Sequence, residues 1–285
     1  MRTLLLVPFL LSLLPAQDKP VAGTADLDEK AFAALHELEQ KKPPQPTGAM
    51  VEVGAAKHYL ALPKDKKGPL PAIVVIHEWY GLNDHIKHWA DRMALEGYAA
   101  LAVDLYGGKV ATSSEEAQAA MKAANAAPDA TRDTLRAAFA FLADDPRIQA
   151  KRRGVIGWCF GGAWSLQLAI AEPKLDACVL YYGRLVEDEK QLAAITAPVL
   201  GVFGTRDRSI PEARVAAFEQ SLQKLGKDAR VLRYDAEHAF ANPSGARYDQ
   251  KHAAAAWTEV RAFLKAKLLD AKAPAAPTAP ADKKQ

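Results

Sequence analysis

Between residues 51 and 268, short apolar runs alternate with longer stretches in which apolar residues recur at helical spacing. The runs PAIVVIHEW (71–79), YAALAVDLY (98–106), RRGVIGWC (152–159), LDACVLYYG (175–183), APVLGVFG (197–204) and ARVLRYD (229–235) read as strands. Several are apolar almost throughout, the pattern of strands covered on both faces. VEVGAAKHYLALP (51–63) reads as a short hairpin. The intervening segments predict helices over 84–96, 114–126, 130–143, 161–171, 211–225 and 247–268. Ser113, with Glu116 three positions on, forms a capping box before the second of them. Such alternation predicts an α/β domain with a mostly parallel central sheet and helices on both faces.

The two ends do not share this pattern. Residues 1–16 read as a bacterial-type secretory signal peptide: Arg2 supplies the basic start, Leu4 to Leu14 the apolar centre, and Leu14-Pro15-Ala16 the cleavage site. A periplasmic or secreted protein is therefore expected, with no membrane attachment once the signal is removed. Residues 17–50 form a polar leader, with a short helix around DEKAFAALHELEQ and a proline-rich linker in KKPPQPTG. Residues 269–285 form an Ala/Pro-rich tail that cannot build a core and is expected to be disordered. The domain between them, 51–268, is large enough for a single core. The formal charge is +3, and loss of residues 1–16 removes Arg2 and leaves +2. That balance argues against nucleic acid or an anionic membrane as partner. Nothing in the pattern calls for assembly, so a monomer is expected.

In parallel α/β sheets, chemistry gathers at the carboxyl ends of the strands. Those positions read HEWYG (77–81), DLYGG (104–108), GWCFGG (157–162), GTRDRSIP (204–211) and EHAFANP (237–243). Three of them supply a cysteine, an aspartate and a histidine, in the chain order of an α/β-hydrolase nucleophile, acid and base. Cys159 falls in a G-x-C-x-G strand-to-helix turn, where Gly157 and Gly161 remove side chains that would collide. The following helix points its positive end at the sulfur. His238 is placed to take and return the proton, Asp207 to fix the tautomer of that imidazole, and the Phe160 N–H to form half of an oxyanion hole. The second cysteine, Cys178, lies in a strand and reads as core packing, although a bridge to Cys159 is open from sequence alone.

These motifs resemble the dienelactone hydrolase family, over about residues 50 to 268. HEWYGLN, DLYGG, GWCFGG, GTRD and HAFAN fall in that family's order and spacing. The resemblance implies an α/β-hydrolase fold, with Cys159, Asp207 and His238 as the catalytic residues. It also implies the backbone N–H of Trp79 as second oxyanion donor, and Glu78 as the glutamate that hydrogen-bonds the resting thiol and moves when substrate arrives. A carboxylate beside a thiol in a dry pocket also disfavours thiolate on elementary grounds. Two positions depart from the family. Where its dienelactone-specific members place arginines to grip a carboxylate, this chain has Gly108 and Asn242, with Lys109 adjacent to the first. Dienelactone itself is thus not the expected substrate.

Aromatic residues dominate what remains near these motifs. Tyr80, Tyr106, Trp164, Phe240 and Asn242 are candidate pocket residues, and the pocket is expected to be largely apolar, suited to a small neutral ester or lactone. His85 and His88, with Asp84 and Asp91, read as the polar face of an amphipathic helix rather than a metal site. No nucleotide-binding fingerprint is present, and no cofactor is expected. Two function classes stand at this point: a cofactor-independent cysteine hydrolase, and a ligand-binding protein on a hydrolase scaffold. Thiol redox chemistry is disfavoured because no C-x-x-C pair exists.

Overall fold

The computed structural model describes residues 29–34 and 45–270. The expected signal peptide, most of the leader and nearly all of the tail lie outside the described residues. In chain order the elements are α1 (Glu29–Ala34), β1 (Ala49–Val53), β2 (Ala56–Ala61), β3 (Ala72–Ile76), α2 (Asp84–Leu95) and β4 (Ala99–Val103). Then follow α3 (Ser114–Ala126), α4 (Pro128–Asp144), β5 (Arg153–Trp158), α5 (Phe160–Ala171), β6 (Ala177–Tyr181) and α6 (Glu189–Ala193). The chain continues with β7 (Val199–Gly204), α7 (Glu212–Lys224), β8 (Ala229–Tyr234), α8 (Gln250–Leu264) and a π-helical turn, Lys265–Leu269. Every strand and helix expected between 51 and 268 is present. The sequence pattern does not announce α6, a five-residue helix too short to show a period.

The eight strands form one sheet in the order β1-β2-β4-β3-β5-β6-β7-β8. β1, β2 and β4 pair antiparallel, and β4, β3 and β5 through β8 pair parallel. From β3 the chain crosses to β4 on one side and then returns past β3 to β5 on the other. Right-handed crossovers running in opposite directions put their helices on opposite faces. One face carries α3, α4, α5 and α7, and the other carries α1, α2 and α8. The carboxyl ends of β3 and β5 flank the point where the direction reverses, the place where such sheets open a crevice. β3, β4, β6 and β7 are buried along their whole length, which accounts for their unbroken apolar sequences.

Local signals behave as the sequence implies, with one refinement. Ser113 Oγ accepts from the Glu116 N–H at 3.2 Å, while the Glu116 carboxylate reaches one residue further back, to the Thr112 N–H at 2.8 Å. The reading of α2 needs correction. His85 and His88 do not form a solvated face: both are buried, as is Arg92. His85 turns toward Glu78, 3.6 Å away, while Arg92 is covered by α1, whose Phe32 packs 4.4 Å from Trp89 and 4.2 Å from the Arg92 guanidinium. Trp257 of α8 covers the same guanidinium at 4.4 Å. Cation–π contact on these faces offsets part of the cost of burying the charge.

Packing at the sheet's switch point is tight enough to dictate residue type. A Cβ on Gly161 would lie 2.6 Å from the His77 carbonyl oxygen and closer still to that of Ile76. Gly161→Ala is expected to destabilise the domain by about 1–3 kcal/mol, the range for forcing extra volume into a close-packed site. Urea unfolding would show this as a lower midpoint at unchanged m, whereas a midpoint equal to the parent's contradicts the close approach.

Candidate active site

The turn between β5 and α5 places Cys159 at φ 53° and ψ −112°, a conformation unfavourable for any residue with a side chain. The strain is held because Cys159 is pinned on both sides. Its N–H donates to the Tyr181 carbonyl at 3.0 Å, and its own carbonyl accepts from the Ala163 N–H at 3.1 Å. The side chain is thereby turned out of the sheet toward the end of β8. There His238 Nε2 lies 3.2 Å from Sγ, and His238 Nδ1 lies 2.7 Å from Asp207 Oδ2. The other Asp207 oxygen accepts from the N–H groups of Ser209 at 2.7 Å and Ile210 at 3.0 Å. Burial alone would raise the Asp207 pKa, but the bond from His238, its charge and these two amides outweigh it and hold the group below its ordinary value. Cys159, His238 and Asp207 thus form one hydrogen-bonded chain, in the order the sequence implied. No bridge joins the cysteines: Cys178 is buried in β6, with its thiol facing the Ser165 carbonyl at 3.5 Å.

Glu78 stands beside this chain, buried at the end of β3. Asn242 Nδ2 donates to its carboxylate, and His85 Nε2 lies 3.6 Å away. Burial pushes the Glu78 pKa up to about 7, against the opposing pull of Asn242, Tyr182 and Arg247. The Cys159 thiol is pushed up to about 12, first by burial and then by the Glu78 charge, with the Phe160 N–H working the other way. At neutral pH the resting sulfur is therefore a thiol. The Phe160 and Trp79 N–H groups have no backbone acceptor among the described residues, and both residues line the cavity above Cys159.

Comparison with known proteins places the chain in a family. Residues 56–268 match the model of the dienelactone hydrolase family. A Methylorubrum extorquens protein named "Putative carboxymethylenebutenolidase" is 35% identical over 200 residues, covering 66% of this chain and 68% of its own. An Escherichia coli protein of the same name is 31% identical over 233 residues, covering 73% and 81%. Among solved structures, a metagenomic dienelactone hydrolase-like promiscuous phosphotriesterase superposes with a TM-score of 0.71 at 27% identity, over 78% of this chain and 98% of the other. The chain belongs to the dienelactone hydrolase family. It is a hydrolase with the α/β-hydrolase fold.

Within that family frame, the cavity over Cys159 has a volume of about 1400 Å³. Tyr80, Trp164 and Asn242 line it as expected, together with Trp79. Two expected residues do not. Phe240 is wholly buried beneath Tyr182 and Tyr234. Tyr106 packs behind the site, against His77 and Phe160, and borders a separate depression of about 380 Å³. Both follow apolar strands, and sequence alone does not tell which way such a ring turns. Gly108 and Lys109 are exposed, and Lys109 borders that second depression, not the catalytic one.

The cavity is more apolar than polar, as expected, with three arginines added at its rim. Arg184, Arg214 and Arg247 line the cavity, all exposed at its mouth, with Arg214 paired to Glu187 at 3.2 Å. They come from loops and a helix start with no motif spacing, so nothing in the sequence singled them out. Leu185 and Val186 enter from the β6–α6 loop and escape a sequence reading for the same reason. Among the described residues no group of three metal-ligating side chains occurs.

The Glu78 arrangement makes a signed prediction. Below about pH 7 Glu78 is mostly neutral and should not hinder thiolate formation; above it, the charge should. Glu78→Gln is expected to match the parent in iodoacetamide alkylation of Cys159 at pH 6. By pH 8.5 the variant should react about tenfold faster, the effect of one pKa unit. A ratio that stays at one across this range refutes the electrostatic hold on the thiol.

Proposed function

We propose that this hydrolase cleaves small carboxylic esters or lactones without a cofactor, through an acyl-thioester on Cys159. The observation that carries the reading is the continuous chain from Cys159 Sγ through His238 to Asp207, set at the sheet's switch point beneath a large cavity. On this reading His238 Nε2 takes the thiol proton as Sγ attacks the carbonyl carbon. The developing oxyanion is met by the Phe160 and Trp79 N–H groups. Collapse breaks the ester C–O bond, and the leaving oxygen takes the proton back from His238. Water, deprotonated by the same imidazole, then attacks the thioester and releases the acid and the thiol. Asp207 keeps the ring oriented and stabilises its charged form throughout.

The raised thiol pKa supports a resting state that reacts only when substrate disturbs the electrostatic hold of Glu78 on Cys159, so an idle thiolate is not exposed to oxidation. With a secretory leader as read from residues 1–16, such protection suits a protein working in the periplasm or outside the cell.

The cavity favours a neutral reacting group. Gly108 and Asn242 provide no cation beside the thiol, and Arg184 and Arg247 sit at the exposed mouth, where water and salt weaken their hold on an anion. Ile86, Met121, Trp164 and Ile210 offer apolar walls for an acyl or alcohol body. A neutral lactone is accordingly expected to be hydrolysed with a kcat/KM at least equal to that of its carboxylate-bearing counterpart. A strong anionic preference that Arg247→Ala abolishes would overturn this part of the reading.

For the chemistry itself, Cys159→Ala is expected to lower turnover of a neutral aryl acetate by at least about 10³-fold, and Asp207→Asn by about 10²–10⁴-fold. Parent and Cys159→Ala proteins that are equally inert on aryl acetate and on both lactones would reject the hydrolytic reading.

A further inference from the structure

The strand-end motif HEWYG holds one residue that the proposed reaction does not use. His77 is completely buried at the end of β3, and both of its ring nitrogens are engaged. The Leu105 N–H donates to Nε2 at 3.2 Å, so that nitrogen presents its lone pair. In a neutral ring the proton must then sit on Nδ1, which lies 2.5 Å from the Glu78 carbonyl oxygen and donates to it. Burial holds the His77 pKa down to about 4, so the ring stays neutral near pH 7 despite the bond to Glu78 and the nearby Asp104 charge.

The Glu78 carbonyl shares a planar trans peptide with the Trp79 N–H, and the two groups point in opposite directions. Whatever fixes the carbonyl therefore aims the amide. Two donors reach that carbonyl oxygen: His77 Nδ1, and the Gly81 N–H across the turn at a long 3.4 Å. The imidazole is much the closer. The same ring stacks on Phe160 with centroids 5.5 Å apart and planes 17° from parallel, and meets Tyr106 edge-on at 4.6 Å. A single buried imidazole thus touches the peptide that carries one candidate oxyanion donor and the side chain of the residue that carries the other. Its bond to Leu105 ties both to the end of β4.

We infer that His77 is a positioning residue: by holding the Glu78 carbonyl it turns the Trp79 N–H toward the oxyanion site above Cys159. This rests on the hydrolase reading above for its catalytic consequence, although the orientation of the peptide does not. Preorganised donors act because they need not reorient as charge develops, and loss of one such donor typically costs about 10²–10³ in kcat. His77 is expected to act through kcat, since it meets neither the ground-state substrate nor the sulfur.

Two substitutions separate this role from mere packing. In His77→Asn the side-chain amide nitrogen takes the place of Nδ1 and keeps a donor to Glu78, whereas His77→Leu keeps bulk and loses it. With an aryl acetate, His77→Leu is expected to lose about 100-fold in kcat with KM within about threefold of the parent. Iodoacetamide alkylation of Cys159, which needs no oxyanion hole, should be retained. His77→Asn should recover kcat to within about tenfold of the parent. Crystal structures of the parent and His77→Leu should show the Glu78–Trp79 peptide turned only in the variant. The inference fails if His77→Leu keeps kcat within about threefold, if it loses kcat and alkylation together, or if His77→Asn is no better than His77→Leu. If the parent itself turns over no ester, the hydrolase reading falls. The crystal structures then decide His77 alone, and an unturned peptide in His77→Leu overturns the inference.

Discussion

The close approach of α5 to the end of β3 sets the geometry on which the site depends. Gly161, in the first turn of α5, leaves no room for a side chain against the Ile76 and His77 carbonyls. Gly157 is equally confined from below, where a Cβ would run into the Gly161 backbone and come within 2.8 Å of Ser165 Oγ. With both neighbours so fixed, Cys159 completes the turn, and it takes the positive φ. The backbone strain is small beside the packing that imposes it, and its result is a sulfur projecting over the crevice between two strands. His238 and Asp207 approach that sulfur from beyond β8 and β7, which lie further along the same parallel array.

Charge near the sulfur is arranged in opposition. Asp207 is kept ionised by the His238 ring and two backbone amides, while Glu78, also buried but with weaker compensation, has its pKa raised by burial to about 7. Two carboxylates within one pocket therefore differ in protonation because their surroundings differ, a division of roles familiar in acid–base sites. The thiol feels both charges and the dry surroundings, and the amide of Phe160 is a near group that favours its ionised form. A buried nucleophile of this kind combines a quiescent ground state with an environment that strengthens every interaction made during reaction.

The N-terminal helix α1 lies outside the family's matched segment, yet is anchored in the core of the domain. Phe32 fills a space between α2 and α8, and with Trp89 and Trp257 surrounds the Arg92 guanidinium. This covering buries Arg92 on a face of α2 that the amphipathic pattern leaves polar. Helix α2 also carries His85, which faces Glu78, so packing on its outer side steadies a neighbour of the candidate site.

The alternation of strand and helix, the two-sided burial of the parallel strands and the positions of Cys159, Asp207, His238 and Glu78 were all legible in the chain. Each is a local property: a run of β-branched residues, a glycine pair around a cysteine, a polar residue at a strand's end. What the sequence left open depends on distance through space. Tyr106 and Phe240 follow strands as Trp79 does, yet turn into the core, because ring direction follows from which helix covers that face. Arg184 and Arg247 enter the cavity from loops separated by the whole of β7, α7 and β8, and only the folded sheet brings them to one mouth. Likewise the burial of Arg92 needed Phe32 of α1 and Trp257 of α8 on its two sides. Sequence determined the kinds of groups and their order; tertiary packing decided which of them face the sulfur, because side-chain direction is set by neighbours that the linear pattern does not contain.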